Sequence, residues 1–182
     1  MKQLDQHTKN KYLRRALLGL LVFITAIAQN VPWLPVVFGA RAFPLLPLIA
    51  AIAFYDQPTA AVIYGAFAGV LWDVMSPVGG YHGIYLTIVA FACAMSIRYF
   101  FNRNFVTIAI MSLSTAVLYL LVHWFIAYAT LELPASELLY PLWRYALPNL
   151  GYTMLLVPLM FTLVSAAVKR TSRRNIAVTP GA

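Results

Sequence analysis

The chain has 182 residues, of which 62% are hydrophobic and 10% charged, with a formal net charge of +8. Soluble domains carry roughly a quarter charged residues, so this composition excludes an ordinary water-soluble fold, and the length suits one compact membrane domain. The basic residues lie outside the apolar runs rather than interleaved with aromatics, which argues against nucleic acid, and the single cysteine, Cys93, sits in an apolar run, which excludes disulfides and cysteine metal centres.

Residues 1–15 form a basic lead, followed by a first apolar run at Ala16–Ala28. A basic lead, an apolar core and Ala26-Ile27-Ala28 also resemble a secretory leader with its cleavage site. The apolar runs downstream favour an uncleaved first span. In the loop Val31-Pro32-Trp33-Leu34-Pro35, the tryptophan suits the interfacial aromatic belt. The second run, Ala42–Tyr55, covers about 14 residues, or ~21 Å as a helix, against the ~20 residues a span requires. It also carries Pro44 and Pro47 near its start. Two readings remain open here, a short span or one arm of a re-entrant hairpin reaching to Met75. Six spans are preferred, because the hairpin would bury the turn Tyr55-Asp56-Gln57-Pro58, with its carboxylate and open backbone, inside the membrane.

The third run, Pro58–Met75, carries the most informative pattern. Ala61, Gly65, Gly69 and Asp73 recur at four-residue steps, and Ser76-Pro77-Val78-Gly79-Gly80-Tyr81-His82-Gly83 follows. Residues four apart share a helix face, so the pattern is a smooth strip ending at an acid. In lipid such strips let backbones approach closely, and ionisable groups within spans are rare unless they serve something. The strip either packs the third span on its own neighbours or receives a partner helix. Asp73 either hydrogen-bonds the following loop or has a further role. Pro77, Gly79, Gly80, His82 and Gly83 make the candidate outer turn, where Tyr81 and His82 suit interface anchors.

A fourth run covers Ile84–Phe101 and a fifth Val106–Thr130, with His123 and Trp124 near its outer end. Residues 134–147 mix Glu137, Tyr140, Trp143, Arg144 and Tyr145 with apolar side chains, the composition of an amphipathic segment lying on the outer surface. The last run is Asn149–Val168, where Pro148-Asn149-Leu150-Gly151 starts the span and Pro158 bends it. Residues 169–182 form a basic cytoplasmic tail that can rest on anionic lipid. With a cytoplasmic amino terminus, Lys2, Lys9, Lys11, Arg14, Arg15, Arg98, Arg103, Lys169, Arg170, Arg173 and Arg174 fall inside. Of the 13 cations, only Arg41 and Arg144 then fall outside, the bias that sets membrane topology. The expected fold is therefore an all-α polytopic membrane protein of about six transmembrane helices, residues 16–168, with both termini cytoplasmic.

Catalytic constellations do not emerge. An aspartyl dyad needs two carboxylates within a few ångström, whereas Asp56 and Asp73 stand ~25 Å apart along one helical stretch. Ser112 and Ser114 share a helix with His123, but nothing resembles a nucleophile elbow. His7, His82 and His123 lie in the tail, an outer turn and a span, without metal-ligand spacing. The residues read as those of a non-enzyme without cofactor or metal.

The run Gly65-x-x-x-Gly69-x-x-x-Asp73, then Ser76-Pro77-Val78-Gly79-Gly80 and an apolar span ending near Arg98, resembles the central signature of the bacterial rod shape-determining MreD family. The motif covers about a quarter of the chain, and length, span number and charge topology agree over the rest. The turn departs from the family's small-Pro-Leu-Gly by a valine, an extra glycine and a histidine. The resemblance implies a fold similar to the six-helix substrate-binding subunit of energy-coupling transporters. It implies a place in the bacterial cytoplasmic membrane, in the machinery that elongates the lateral wall. The partners it implies are MreC and, through it, MreB and the glycosyltransferase and transpeptidase that build peptidoglycan. The alternative is a substrate-binding subunit of an energy-coupling vitamin transporter. Those subunits resemble one another in an Ala-x-x-x-Ala stripe on the first span, and Ala16, Gly19, Ala26 and Ala28 lack that spacing.

Overall fold

A computed structural model describes residues 2–30, 41–76, 80–102, 104–131, 144 and 146–176, with side chains from residue 10 to 126 and from 144 to 171 of these. Among them are seven helices and no strand: α1 (Lys2–Asn30), α2 (Leu45–Tyr55), α3 (Pro58–Met75), α4 (His82–Tyr99), α5 (Phe105–Leu131), α6 (Leu147–Leu155) and α7 (Val157–Ile176). The chain is an all-α polytopic membrane protein. The stretches 10–30, 58–75, 82–99, 105–126 and 147–171 are each long and apolar enough to cross a bilayer, which makes five such helices, with α6 and α7 joined end to end in the last.

The missing sixth is α2, and its course explains why the count differs from six. Its 11 residues rise only ~16 Å, about half of the ~30 Å hydrocarbon layer. Together with its lead-in from Phe43, it nevertheless links side chains near the two ends of the bundle. Before its start, the Phe43 ring lies 5.0 Å from that of Tyr119 and 5.7 Å from that of Trp72. At its end the Tyr55 carbonyl accepts a hydrogen bond from Arg14 Nη2 at 2.9 Å, and Phe161, 5.7 Å from the Tyr55 ring, also meets Phe105 at 5.5 Å. The α2–α3 turn therefore sits at the end holding Arg14 and the start of α5, not in mid-bundle as a re-entrant hairpin would place it.

A helix this short is tolerated because α1, α3, α4, α5 and α7 enclose it. Every residue from Leu45 to Phe54 is buried. Lipid tails are as apolar as these side chains, so the gain comes from close packing rather than from leaving water. The irregular lead-in would otherwise leave donors unpaired at membrane depth, which lipid does not forgive. Three side chains take them: the N–H of Arg41 donates to Asn149 Oδ1 at 2.8 Å, that of Phe43 to Thr153 Oγ1 at 3.1 Å, and that of Leu45 to Gln29 Oε1 at 3.1 Å. Thr153 is fully buried and passes its own proton to the Asn149 carbonyl at 2.7 Å. Thr153→Val keeps the shape and strands the Phe43 amide, so it is expected to lower stability by about 1–3 kcal/mol, read as a fall in the thermal midpoint of the detergent-solubilised protein.

Proline sets the breaks. Gln57, before Pro58, is held extended at φ −72° and ψ 152°, because the proline ring disfavours helix at the preceding residue, and Pro58 then occupies the first turn, where its missing N–H costs nothing. Near Pro158 the last pass breaks at Leu156, whose N–H reaches back to the Thr153 carbonyl, three residues away, instead of four. The last run is thus two helices, and it stays helical to Ile176, into the region expected as tail. At the other end α1 is continuous from Lys2 through the basic residues into the first apolar run, with no glycine or proline before Gly19. His82 is the first residue of α4 rather than part of a turn. The loop Val31–Pro35, the turn residues Pro77 and Gly79, and most of the expected surface segment 134–147 lie outside the described residues.

Candidate functional site

The small-residue strip of α3 faces α4. A Cβ on Gly65 would stand 2.6 Å from the Leu86 carbonyl oxygen and 2.7 Å from Ala90 Cβ, and one on Gly69 would overlap the His82 carbonyl oxygen and Gly83 Cα. Ala61 and Ala68 are fully buried beside them. At Gly65 and Gly69 the strip is therefore occupied by the chain's own next helix.

One turn beyond Gly69, Asp73 closes the hairpin. Its Oδ1 accepts the N–H of Gly80 at 3.0 Å, the N–H of His82 at 3.1 Å and the His82 ring Nδ1–H at 2.8 Å, while Oδ2 accepts the N–H of Gly83 at 2.8 Å. Of the strip and outer-turn residues, the structure brings Gly69, Asp73, Gly80, His82 and Gly83 into contact. Gly80 adopts φ +116°, a conformation that a side chain would strain. That angle folds the chain back so that the N–H groups of Gly80, His82 and Gly83 converge on one carboxylate.

His82 is 3% exposed, not a surface anchor. Its ring is sandwiched between Trp72, 4.4 Å away at 22°, and Tyr81, 4.2 Å away at 24°. Its Nδ1 meets Asp73 Oδ1, and on the other side of the ring Nε2 lies 3.3 Å from the Tyr119 hydroxyl. Tyr119 stacks on His123 with centroids 5.9 Å apart, and Tyr81 Oη pairs with His123 Nδ1 at 2.8 Å. The result is a carboxylate–imidazole–phenol chain sealed by an aromatic wall, with His123 exposed at its rim.

Chemically, each nitrogen of His82 and both oxygens of Asp73 have partners, so the network fixes geometry: it ties α3, the outer turn, α4 and α5 together. Among the described residues, no group of three or more His, Cys, Asp or Glu side chains could hold a metal ion. Trp72 and Tyr119 are the members that the sequence reading left out. The signal for Tyr119 was its four-residue spacing from His123, which puts both on one face of α5.

Comparison with protein-family models, curated proteins and solved structures finds no match to this chain.

Proposed function

We propose that the chain is a non-catalytic scaffold of the bacterial wall-elongation machinery, seated in the cytoplasmic membrane with both termini inside, as its resemblance to the MreD family implies. Its partner in this reading is MreC, and through MreC the peptidoglycan synthases. The observation that supports the reading is the Asp73 latch. Four hydrogen bonds to one carboxylate hold Gly80, His82 and Gly83 in place at the head of α4, and a preformed surface binds a partner without first bearing the cost of ordering. The half-buried Tyr81 and exposed His123, joined by their hydrogen bond, give that surface an aromatic, polar-tipped face of the kind enriched at protein interfaces.

The test is affinity purification of the tagged full chain from its native membranes in mild detergent, with mass spectrometry of what accompanies it. MreC and wall synthases are the expected companions. Recovery of paired ATPases with a coupling membrane subunit would overturn the scaffold reading in favour of a vitamin transporter.

A further inference from the structure

At the end of the bundle opposite Asp73, a cleft of about 560 Å³ opens between α1 and α3. Three of its lining residues, Lys11, Arg14 and Arg15, come from one turn of α1, where spacings of three and four put side chains on a common face. All three lie at the start of the membrane-crossing stretch 10–30, ahead of the apolar run that begins at Ala16, where cations can meet the phosphates of the bilayer surface.

Arg14 has a task inside the protein. Its Nη2 donates to the Tyr55 carbonyl at 2.9 Å and stands 3.4 Å from Asp56 Oδ2, which fastens the end of α2 to α1. Its Nε is buried and has no partner. Lys11 and Arg15 are different. Both are exposed, and among the described residues neither has an ion-pair partner. Among the described residues the cleft thus holds three cations against the one carboxylate of Asp56.

Polarity changes along the cleft. Gln57, Thr59 and Ala60 line it at the α2–α3 turn, while Ile63, 66% exposed, lines it one turn further into the bundle. A soluble anion would meet the cations and have no use for that apolar wall. An anionic lipid would use both, because its phosphate sits at the membrane surface and its chain runs inward beside Ile63. Arginine and lysine suit phosphate, the first by its planar fork and the second as a compact charge.

We propose that this cleft binds the phosphate of an anionic phospholipid from the leaflet it faces, with Lys11 and Arg15 on the phosphate and Ile63 along the acyl chain. The proposal is independent of what the outer end binds.

Native mass spectrometry of the full chain in detergent, titrated with dioleoylphosphatidylglycerol, dioleoylphosphatidylcholine or inorganic phosphate, tests it. One phosphatidylglycerol is expected to be retained well above phosphatidylcholine. The Lys11→Gln/Arg15→Gln pair is expected to weaken that retention on the order of tenfold, and Arg98→Gln, an exposed cation outside the cleft, to leave it unchanged. Thr59→Glu, which places an anion in the cleft while keeping every cation, should weaken it as well, and unchanged thermal midpoints establish that these exposed substitutions leave the fold intact. Equal retention of both lipids, or equal losses with Arg98→Gln, would overturn the site. Displacement of the lipid by millimolar inorganic phosphate would overturn the lipid as the occupant and assign the cleft to a soluble phosphate.

Discussion

Gly69→Ala is expected to destabilise the protein by about 2 kcal/mol, and Gly69→Leu to prevent recovery of folded protein. In an open helix the change to alanine would help, by up to ~1 kcal/mol, because glycine is the poorer helix former. At Gly69 that gain is overruled. The new carbon would overlap the His82 carbonyl oxygen and Gly83 Cα, which are backbone atoms and cannot rotate away. To make room, α4 has to move off α3, and the move carries His82 and Gly83 away from Asp73. Gly19 is the matched control, since a Cβ there meets nothing within 4 Å, so Gly19→Ala should be neutral or mildly stabilising. Thermal midpoints of the purified variants in one detergent decide it; parental stability in Gly69→Ala would refute the close α3–α4 approach.

Asp73→Asn is expected to cost about 2 kcal/mol, the penalty for leaving buried donors without acceptors. The amide retains one acceptor oxygen where the carboxylate has two, and its NH2 then points donor to donor at either the Gly83 amide or the Gly80–His82 group. Because the Asp73 side chain is 21% exposed, water recovers part of the loss, which keeps the figure below that for a fully buried charge. The effect should be local first. Hydrogen exchange at the amides of Gly80, His82 and Gly83 should accelerate strongly, with exchange in the middle of α5 little changed. Unaltered exchange at those three amides would mean that the carboxylate does not hold the turn.

These two residues were legible in the sequence because the four-residue step from Ala61 to Asp73 is a property of one helix, and helical phase needs no tertiary information. What the strip packs against was not legible. A small-residue face reads the same whether it receives α4 or a foreign helix, and only the distances from Gly65 to Leu86 and from Gly69 to His82 decide it. In sequence His82 suits an interface anchor, because nothing local marks it for burial. Its burial depends on Trp72 and Tyr119, and Tyr119 is 37 residues away in sequence. The same limit applies to α2. Pro44, Pro47 and its shortness flagged it as unusual, but the polar groups that make a short pass workable, Gln29, Asn149 and Thr153, come from both ends of the chain. Arg14 counted only as a topological charge, since its bond to the Tyr55 carbonyl joins residues 41 apart.

That arrangement of α2 also bears on how the protein is made. A helix of 11 residues cannot rest in a bilayer by itself, and two of the three side chains that receive its lead-in amides belong to α6, more than 100 residues later in synthesis. The second segment to leave the ribosome is therefore the last to find its final surroundings. Until the carboxy-terminal pair of helices has entered the membrane, the centre of the bundle is unfinished, and assembly of this protein closes from the outside inward.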